Sequence, residues 1–135
     1  MTGETDLRKL LGSMSPDLAP CVHVFVTLPP EAPISDGLNP IMIFREREGV
    51  TLILLQEEAN AAGLSGSFPC RMITLNIHSS LDAVGFLATV TTRLAAAGMG
   101  VNPVSGYFHD HLFVPADRAD EAMSILKRLA ADGVV

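Results

Sequence analysis

Residues 71–115 read RMITLNIHSSLDAVGFLATVTTRLAAAGMGVNPVSGYFHDHLFVP, and this stretch decides the fold. Ile73, Leu75 and Ile77 alternate with Thr74, Asn76 and His78, the period-two pattern of a strand with one buried face. Ser79 and Ser80 offer two N-caps, so the spacing predicts a helix running through Ala97 and closed by Gly98. Within it Ala83, Leu87, Val90, Leu94 and Ala97 step by four and three residues and make one apolar stripe. Met99–Phe108 and His111–Val114 read as a hairpin across His109-Asp110. After Pro115 comes a final helix from Asp117, whose inward face is Ala119, Ala122, Leu126 and Leu129. The order strand, helix, strand, strand, helix is that of a split βαβ, ferredoxin-like unit.

Upstream, Leu7, Leu10, Leu11 and Met14 mark a short amphipathic helix over residues 5–14, ended by Pro16 and expected to cap one end of a sheet. Cys21–Leu28 (CVHVFVTL) alternates as a strand, and the proline-rich stretch 29–40 (PPEAPISDGLNP) reads as a surface loop. Ile41–Arg45 and Val50–Gln56 flank Glu48-Gly49 as a second hairpin signal, followed by a short helix from Glu57 to Ala62 that Gly63 closes. An offset of 61 residues lays Glu48-Gly49 on His109-Asp110 and Ala61 on Ala122, a weak internal repeat. The fold class expected is therefore α+β: two ferredoxin-like βαββαβ units in tandem, over 1–66 and 67–135. In the first, the proline-rich loop replaces the first helix, and strand 71–78 serves or joins both sheets.

Composition narrows the partners. Nine Lys+Arg stand against fifteen Asp+Glu, a formal charge of −6, with no basic run, which argues against nucleic acid and against a polybasic membrane surface. At 48% hydrophobic the chain can bury a core, yet no apolar run has the length of a membrane span. Cys21 and Cys70 show no metal or disulfide spacing and read as reduced, buried thiols. A cytoplasmic protein is expected.

The run 75–115 resembles an ACT domain, the small-molecule regulatory module of amino-acid metabolism. Its Gly85-Phe86-Leu87-Ala88 step is similar to the helix start in the regulatory domains of aspartokinases. Ser79-Ser80-Leu81, Val84-Gly85 and Tyr107-Phe108-His109-Asp110-His111-Leu112-Phe113-Val114 resemble a group of short bacterial tandem ACT-like proteins of unassigned role. Phe44-Arg45-Glu46 and Gly49-Val50-Thr51-Leu52 extend the likeness loosely to the first half. The expectation is of a regulatory module without the catalytic domain of a regulated enzyme. The resemblance implies an amino acid held between the helix start and the next strand, walled by Ser80, Val84, Gly85, Phe86 and Leu87 on one side and Val101 and Asn102 on the other. A helix entry presents unpaired backbone N–H groups and a positive dipole end, which suit a carboxylate. Gly85, lacking a Cβ, admits either a ligand or the close packing of the helix on the hairpin. Asn102 either takes a ligand polar group or satisfies a strand end before Pro103.

Other chemistries are weaker. His109-Asp110-His111 with His78 offers three imidazoles for a metal or for a His-dependent enzyme, but hairpin-tip hydrogen bonding accounts for them without an ion. His23, alone in an apolar strand, reads as a hydrogen-bonded core residue. Ser79 and Ser80 beside His78 lack a nucleophile elbow, and Gly98-x-Gly100 follows a helix where a phosphate loop precedes one. The expectation is a non-enzymatic, amino-acid-binding regulatory module with no cofactor and no metal. It is expected to be a homodimer, because Val22, Val24, Phe25, Val26 and the Ile41–Phe44 segment exceed what so short a chain can cover. A small metal- or His-dependent enzyme and an interaction domain with a vestigial pocket are the alternatives.

Overall fold

The computed structural model describes residues 6–77 and 80–132. Along the chain lie α1 (Leu7–Ser13), β1 (Pro16–Leu28), β2 (Met42–Arg45), β3 (Val50–Leu55), α2 (Gln56–Ala61), β4 (Ser67–Leu75), α3 (Phe86–Ala96), β5 (Asn102–Ser105), β6 (Asp110–Pro115), a 3-10 turn (Ala116–Arg118) and α4 (Ala119–Asp132). Hydrogen-bonded neighbours follow the order β2-β3-β1-β4-β6-β5. The chain folds as two compact units, an inserted unit, Cys21–Cys70, and a flanking unit made of Met1–Pro20 and Arg71–Val135. Both long strands, β1 and β4, give one part to each unit. The class is the α+β one expected, with two ferredoxin-like units and one helix missing from the first.

In the flanking unit the core joins Ile73 and Leu75 of β4 and Leu112 and Val114 of β6 to the apolar faces of the helices. The face read from the sequence of α4 is the buried one: Ala119, Ala122, Leu126 and Leu129 are all at most 1% exposed. Asp6 caps α1 by accepting from the Lys9 backbone N–H at 3.2 Å. Leu10 and Leu11 are fully buried in the same core as α3 and α4, where each leucine contributes roughly 1.5–3 kcal/mol of burial.

Helix α3 is shorter than the sequence predicts. It begins at Phe86, with Gly85 as its N-cap at φ +89°, a left-handed conformation that ends the non-helical approach. Ser80 makes a local turn instead of capping the helix, its Oγ accepting from the Asp82 N–H at 3.1 Å. Ser79 and His78 lie outside the described residues.

In the inserted unit β3 pairs antiparallel with β1, from His23↔Leu55 to Leu28↔Val50, and with β2, from Met42↔Ile53 to Arg45↔Val50. Val24, Val26, Val50, Leu52, Leu54 and Ala59 form its core. Ile34 and Leu38, from the proline-rich stretch, pack against that core, and Glu58 Oε2 accepts from the Asn39 N–H at 2.6 Å. The loop thus covers apolar surface that a helix covers in the other unit. Val24 and Val26 are buried in this core, which leaves Ile41, Ile43 and Phe44 as the exposed apolar residues of the segments expected to need cover.

Strand β1 starts at Pro16, five residues before the expected Cys21, and β4 starts at Ser67 and ends at Leu75. Pro16 and Pro20 precede the part of β1 that pairs with β3, so their missing N–H groups cost no bond of that ladder. Cys21 is exposed, against the expectation of a buried thiol, whereas Cys70 is buried and donates from Sγ to the His23 carbonyl at 3.3 Å. Burial pushes the Cys70 thiol up to about 11.

The repeat is confirmed with a corrected offset of 60. Met42↔Ile53 and Arg45↔Val50 correspond to Asn102↔Phe113 and Ser105↔Asp110. The turn bond Glu46 N–H to Gly49 O, 2.9 Å, recurs as Gly106 N–H to His109 O, also 2.9 Å. An offset of 61 aligned the turns by their polar residues and set Thr51 on Leu112, which puts opposite faces of the two strands in register.

Candidate functional site

A cavity of about 140 Å³ lies within the flanking unit, lined by Ser80, Leu81, Ala83, Phe86, Leu87, Ser105, Gly106 and Asp110. Its walls come from three places: the turn that leads into α3, the first two residues of α3, and the β5–β6 hairpin. The αL conformation at Gly85 lets the chain turn abruptly into the helix, so that Phe86 and Leu87 are the first helical residues at the cavity. The N-cap residue Gly85 has no side chain to accept from the first-turn N–H groups, the end of a helix that favours negative charge.

Asp110 supplies the opposite polarity. It opens β6, is only 9% exposed, and accepts through Oδ1 from Ser105 Oγ at 2.6 Å. A buried carboxylate costs free energy unless hydrogen-bonded or paired with a cation, and Ser105 provides one such bond. The neighbouring His111 lies behind the hairpin: its Nδ1 meets Thr74 Oγ1 at 2.9 Å, and a Cβ on Gly106 would stand 3.5 Å from its Nε2. Burial lowers the His111 pKa, with His109 lowering it further and Asp110 raising it. His109 donates from Nδ1 to the Ile77 carbonyl at 3.4 Å, the hairpin-tip role expected of it.

Of the residues implied by resemblance, Ser80, Phe86 and Leu87 come together on the cavity. Gly85 does not line it. A Cβ there would meet Leu7 Cδ2 at an ordinary 3.6 Å, so its φ of +89°, and not tight packing on a neighbouring element, is what favours glycine here. Val84 is 83% exposed, Val101 packs partly against the core, and Asn102 is exposed at the start of β5. Leu81, Ala83, Ser105 and Gly106 were not foreseen, and Asp110 was considered only beside the histidines. The signal that finds Asp110 is the corrected repeat, which sets it on Val50: an acid at a buried strand position.

Among the described residues no three of His, Cys, Asp and Glu are placed to hold a metal ion, and His78 lies outside them. The His109 and His111 rings meet edge to face, centroids 6.4 Å apart. His23 is buried, and desolvation lowers its pKa against a backbone hydrogen bond at Cys21.

The ACT domain family matches the chain twice, over residues 2–71 and 67–128. The chain belongs to the ACT domain family. ACT domains are small-molecule-binding regulatory modules, and this chain is a tandem of two. Among solved structures it is similar to a protein of unknown function from Vibrio cholerae, described as a possible transport protein. That likeness is at 43% identity and TM-score 0.83, over 93% of this chain and 97% of that one. A protein from Agrobacterium tumefaciens has the same fold at 16% identity, with TM-score 0.76 over 87% of this chain and 89% of its own. So does the ligand-free regulatory subunit of aspartate kinase from Thermus thermophilus, at 11% identity and TM-score 0.60, over 84% and 95%. A search of curated proteins found no match. No helix among the described residues is long and apolar enough to cross a membrane.

Proposed function

We propose that this chain is a cytoplasmic, non-enzymatic regulatory module that binds a small amino acid in the cavity at the start of α3 and transmits the binding through the packing of a homodimer. The observation that carries the reading is the pairing of an uncapped helix start with a buried acid across one small cavity. A zwitterion matches both ends: its carboxylate suits the first-turn N–H groups and its ammonium suits Asp110. Leu81, Ala83, Phe86 and Leu87 leave room for a small side chain. Of the residues implied by the family resemblance, Ser80, Phe86 and Leu87 form this wall. We take the repeats to be 1–66 and 67–135, with the site in the second.

The homodimer is supported by β2, the terminal strand in the sheet order, where Ile43 and Phe44 are 48% and 62% exposed and Ile41, just before the strand, is 49% exposed. An exposed apolar edge favours pairing with a second copy. The ligand shifts packing only by its differential affinity for two arrangements.

The test is a thermal-shift screen of the twenty amino acids, with and without a chelator, followed by calorimetry on any hit and light scattering with and without it. At least one small amino acid is expected to raise the melting temperature by mass action, chelator or not. Failure of every amino acid at millimolar concentration would sink the sensor reading. A monomer near 14.3 kDa, unmoved by a ligand that does bind, would sink the packing mechanism alone.

A further inference from the structure

The chain has two cysteines, and they are the first and last residues of the inserted unit, Cys21–Cys70. The polypeptide enters that unit along β1 and leaves it along β4, which are hydrogen-bonded neighbours in the sheet. Arg71 Nε donates to the Ala19 carbonyl at 3.0 Å, and Cys70 Sγ donates to the His23 carbonyl at 3.3 Å. Cys21 stands midway between these two acceptors on β1. Just beyond the strand ends the Asn76 N–H donates to the Ser15 carbonyl at 3.0 Å, so the contacts descend β4 as they ascend β1 and the strands are antiparallel. Counting residue for residue from that bond sets Leu18 on Ile73 and Cys21 on Cys70. Leu18 and Ile73 share one core, as this register requires. Opposite residues of an antiparallel pair point to one face with Cα atoms about 4.5–5.5 Å apart, inside the roughly 4.4–6.8 Å that a disulfide spans.

We propose that Cys21 and Cys70 are a reversible disulfide site that closes the inserted unit into a ring, formed by exchange with a small disulfide of the glutathione type. Both are free thiols in this structure, and their surroundings set the order of events: Cys21 is exposed and Cys70 is buried. The Cys21 thiolate attacks one sulfur of the small disulfide, whose S–S bond breaks, and the first small thiol leaves with the proton that Cys21 gave up. Cys70 then loses its proton and attacks Cys21 Sγ, and the second small thiolate is expelled and takes that proton. Two protein thiols are oxidised to one disulfide while one small disulfide is reduced to two thiols. Burial pushes the Cys70 thiol up to about 11, which makes the second step the slow one. The ring ties β1 to β4 where the inserted unit begins and ends, and so restricts the unfolded chain of that unit. None of this depends on what the cavity of the flanking unit binds.

The test takes the full chain, fully reduced, and incubates it with millimolar glutathione disulfide at about pH 8, once native and once in urea, before intact-mass measurement and non-reducing peptide mapping. The native chain is expected to lose the mass of two hydrogens, to yield one linked peptide pair containing Cys21 and Cys70, and to revert with dithiothreitol. Its melting temperature without reductant should exceed that of the reduced chain by roughly 5 °C or more. Cys70→Ser should stop at one glutathione on Cys21, and native Cys21→Ser should take up none. A native wild type that stops at the Cys21 adduct, or that links Cys21 to Cys21 of a second chain, overturns the proposal, and these arms need no variant to fold. A Cys21–Cys70 link that forms only in urea, or one that leaves the melting temperature unraised, overturns it as well.

Discussion

The hairpin and helix of the inserted unit, β2-β3-α2, and those of the flanking unit, β5-β6 with the turn into α4, are two versions of one design at an offset of 60. Strands β3 and β6 have the same sequence of buried and half-buried positions, and Ala59 and Ala119 are both buried as the following helical segment begins. The differences follow what precedes each hairpin. Position 58/118 anchors the crossover in both units with opposite charge. Arg118 donates to the Ala97 and Gly98 carbonyls at 2.8 and 3.1 Å, where α3 ends and presents unpaired acceptors. Glu58 accepts an N–H at Asn39, where the crossover is a loop. Loss of a helix was accompanied by a matching change of sign in the residue that ties the crossover down. In the unit that kept the helix, the start of α3 and the acid Asp110 line one cavity.

The comparison is broken most strongly through the two cores. Leu52 and Leu112 are equivalent and both fully buried, so truncation to alanine is expected to destabilise each by about 2–5 kcal/mol in urea denaturation. Leu112→Ala should cost more. Its cluster is built on three helices and collapses poorly around a void, whereas Leu52 is covered in part by a loop that can settle. A larger loss at Leu52 would mean that the proline-rich stretch is as rigid a cover as a helix.

A smaller effect tests the turns. Gly49 and His109 are equivalent, but a Cβ on Gly49 would lie 2.6 Å from the Leu28 carbonyl oxygen and 2.9 Å from Thr27 Oγ1. Strand β1 continues to Leu28 opposite Val50, while β4 ends at Leu75, so the His109 ring has room to reach the Ile77 carbonyl. Gly49→His, which copies the second turn into the first, is therefore expected to destabilise by about 1–3 kcal/mol through backbone overpacking. Equal stability would show that β1 can shorten as β4 does.

Much of this was legible in the sequence where one periodicity dominates. The face of α4 and the two hairpins follow from spacing alone, because burial at those positions is settled by local pattern. The long strands run beyond their alternating cores, through Pro16, Pro20 and Pro69, where the period-two pattern gives no signal. Proline is excluded only where a neighbour needs its N–H, and which part of β1 pairs with β3 is a tertiary fact. The start of α3 was set at the serines because the left-handed conformation of Gly85 has no signature apart from glycine itself, which is common for other reasons. The site was half legible. Ser80, Phe86 and Leu87 follow from the resemblance, but Asp110 emerges only when the repeat is aligned by ladder register, since its neighbours His109 and His111 draw attention to metals first.

The smallest effect concerns acid stability, and it sharpens the comparison because each unit holds a histidine whose pKa is lowered by desolvation, His23 buried and His111 half-buried. Burial lowers the pKa of His23 and, with His109 adding to it, that of His111, so both are below their unfolded value of about 6.5. A base with a lowered pKa binds its proton more readily in the unfolded chain. Stability is therefore full above about pH 6.5 and declines as pH falls below it, until the folded-state values are reached and the native histidines also charge. Each residue contributes at most one proton to the slope. Urea denaturation repeated from about pH 7.5 down to about pH 5 should show a shallower acid limb for His23→Gln and for His111→Gln than for the wild type. Asp110→Asn should have the opposite effect. Asp110 raises the His111 pKa, so removing its charge drives that pKa lower and widens the gap to the unfolded value. A steeper acid limb in Asp110→Asn that disappears when His111→Gln is added would tie the effect to this pair. An unchanged limb would show that the acid carries no weight at His111.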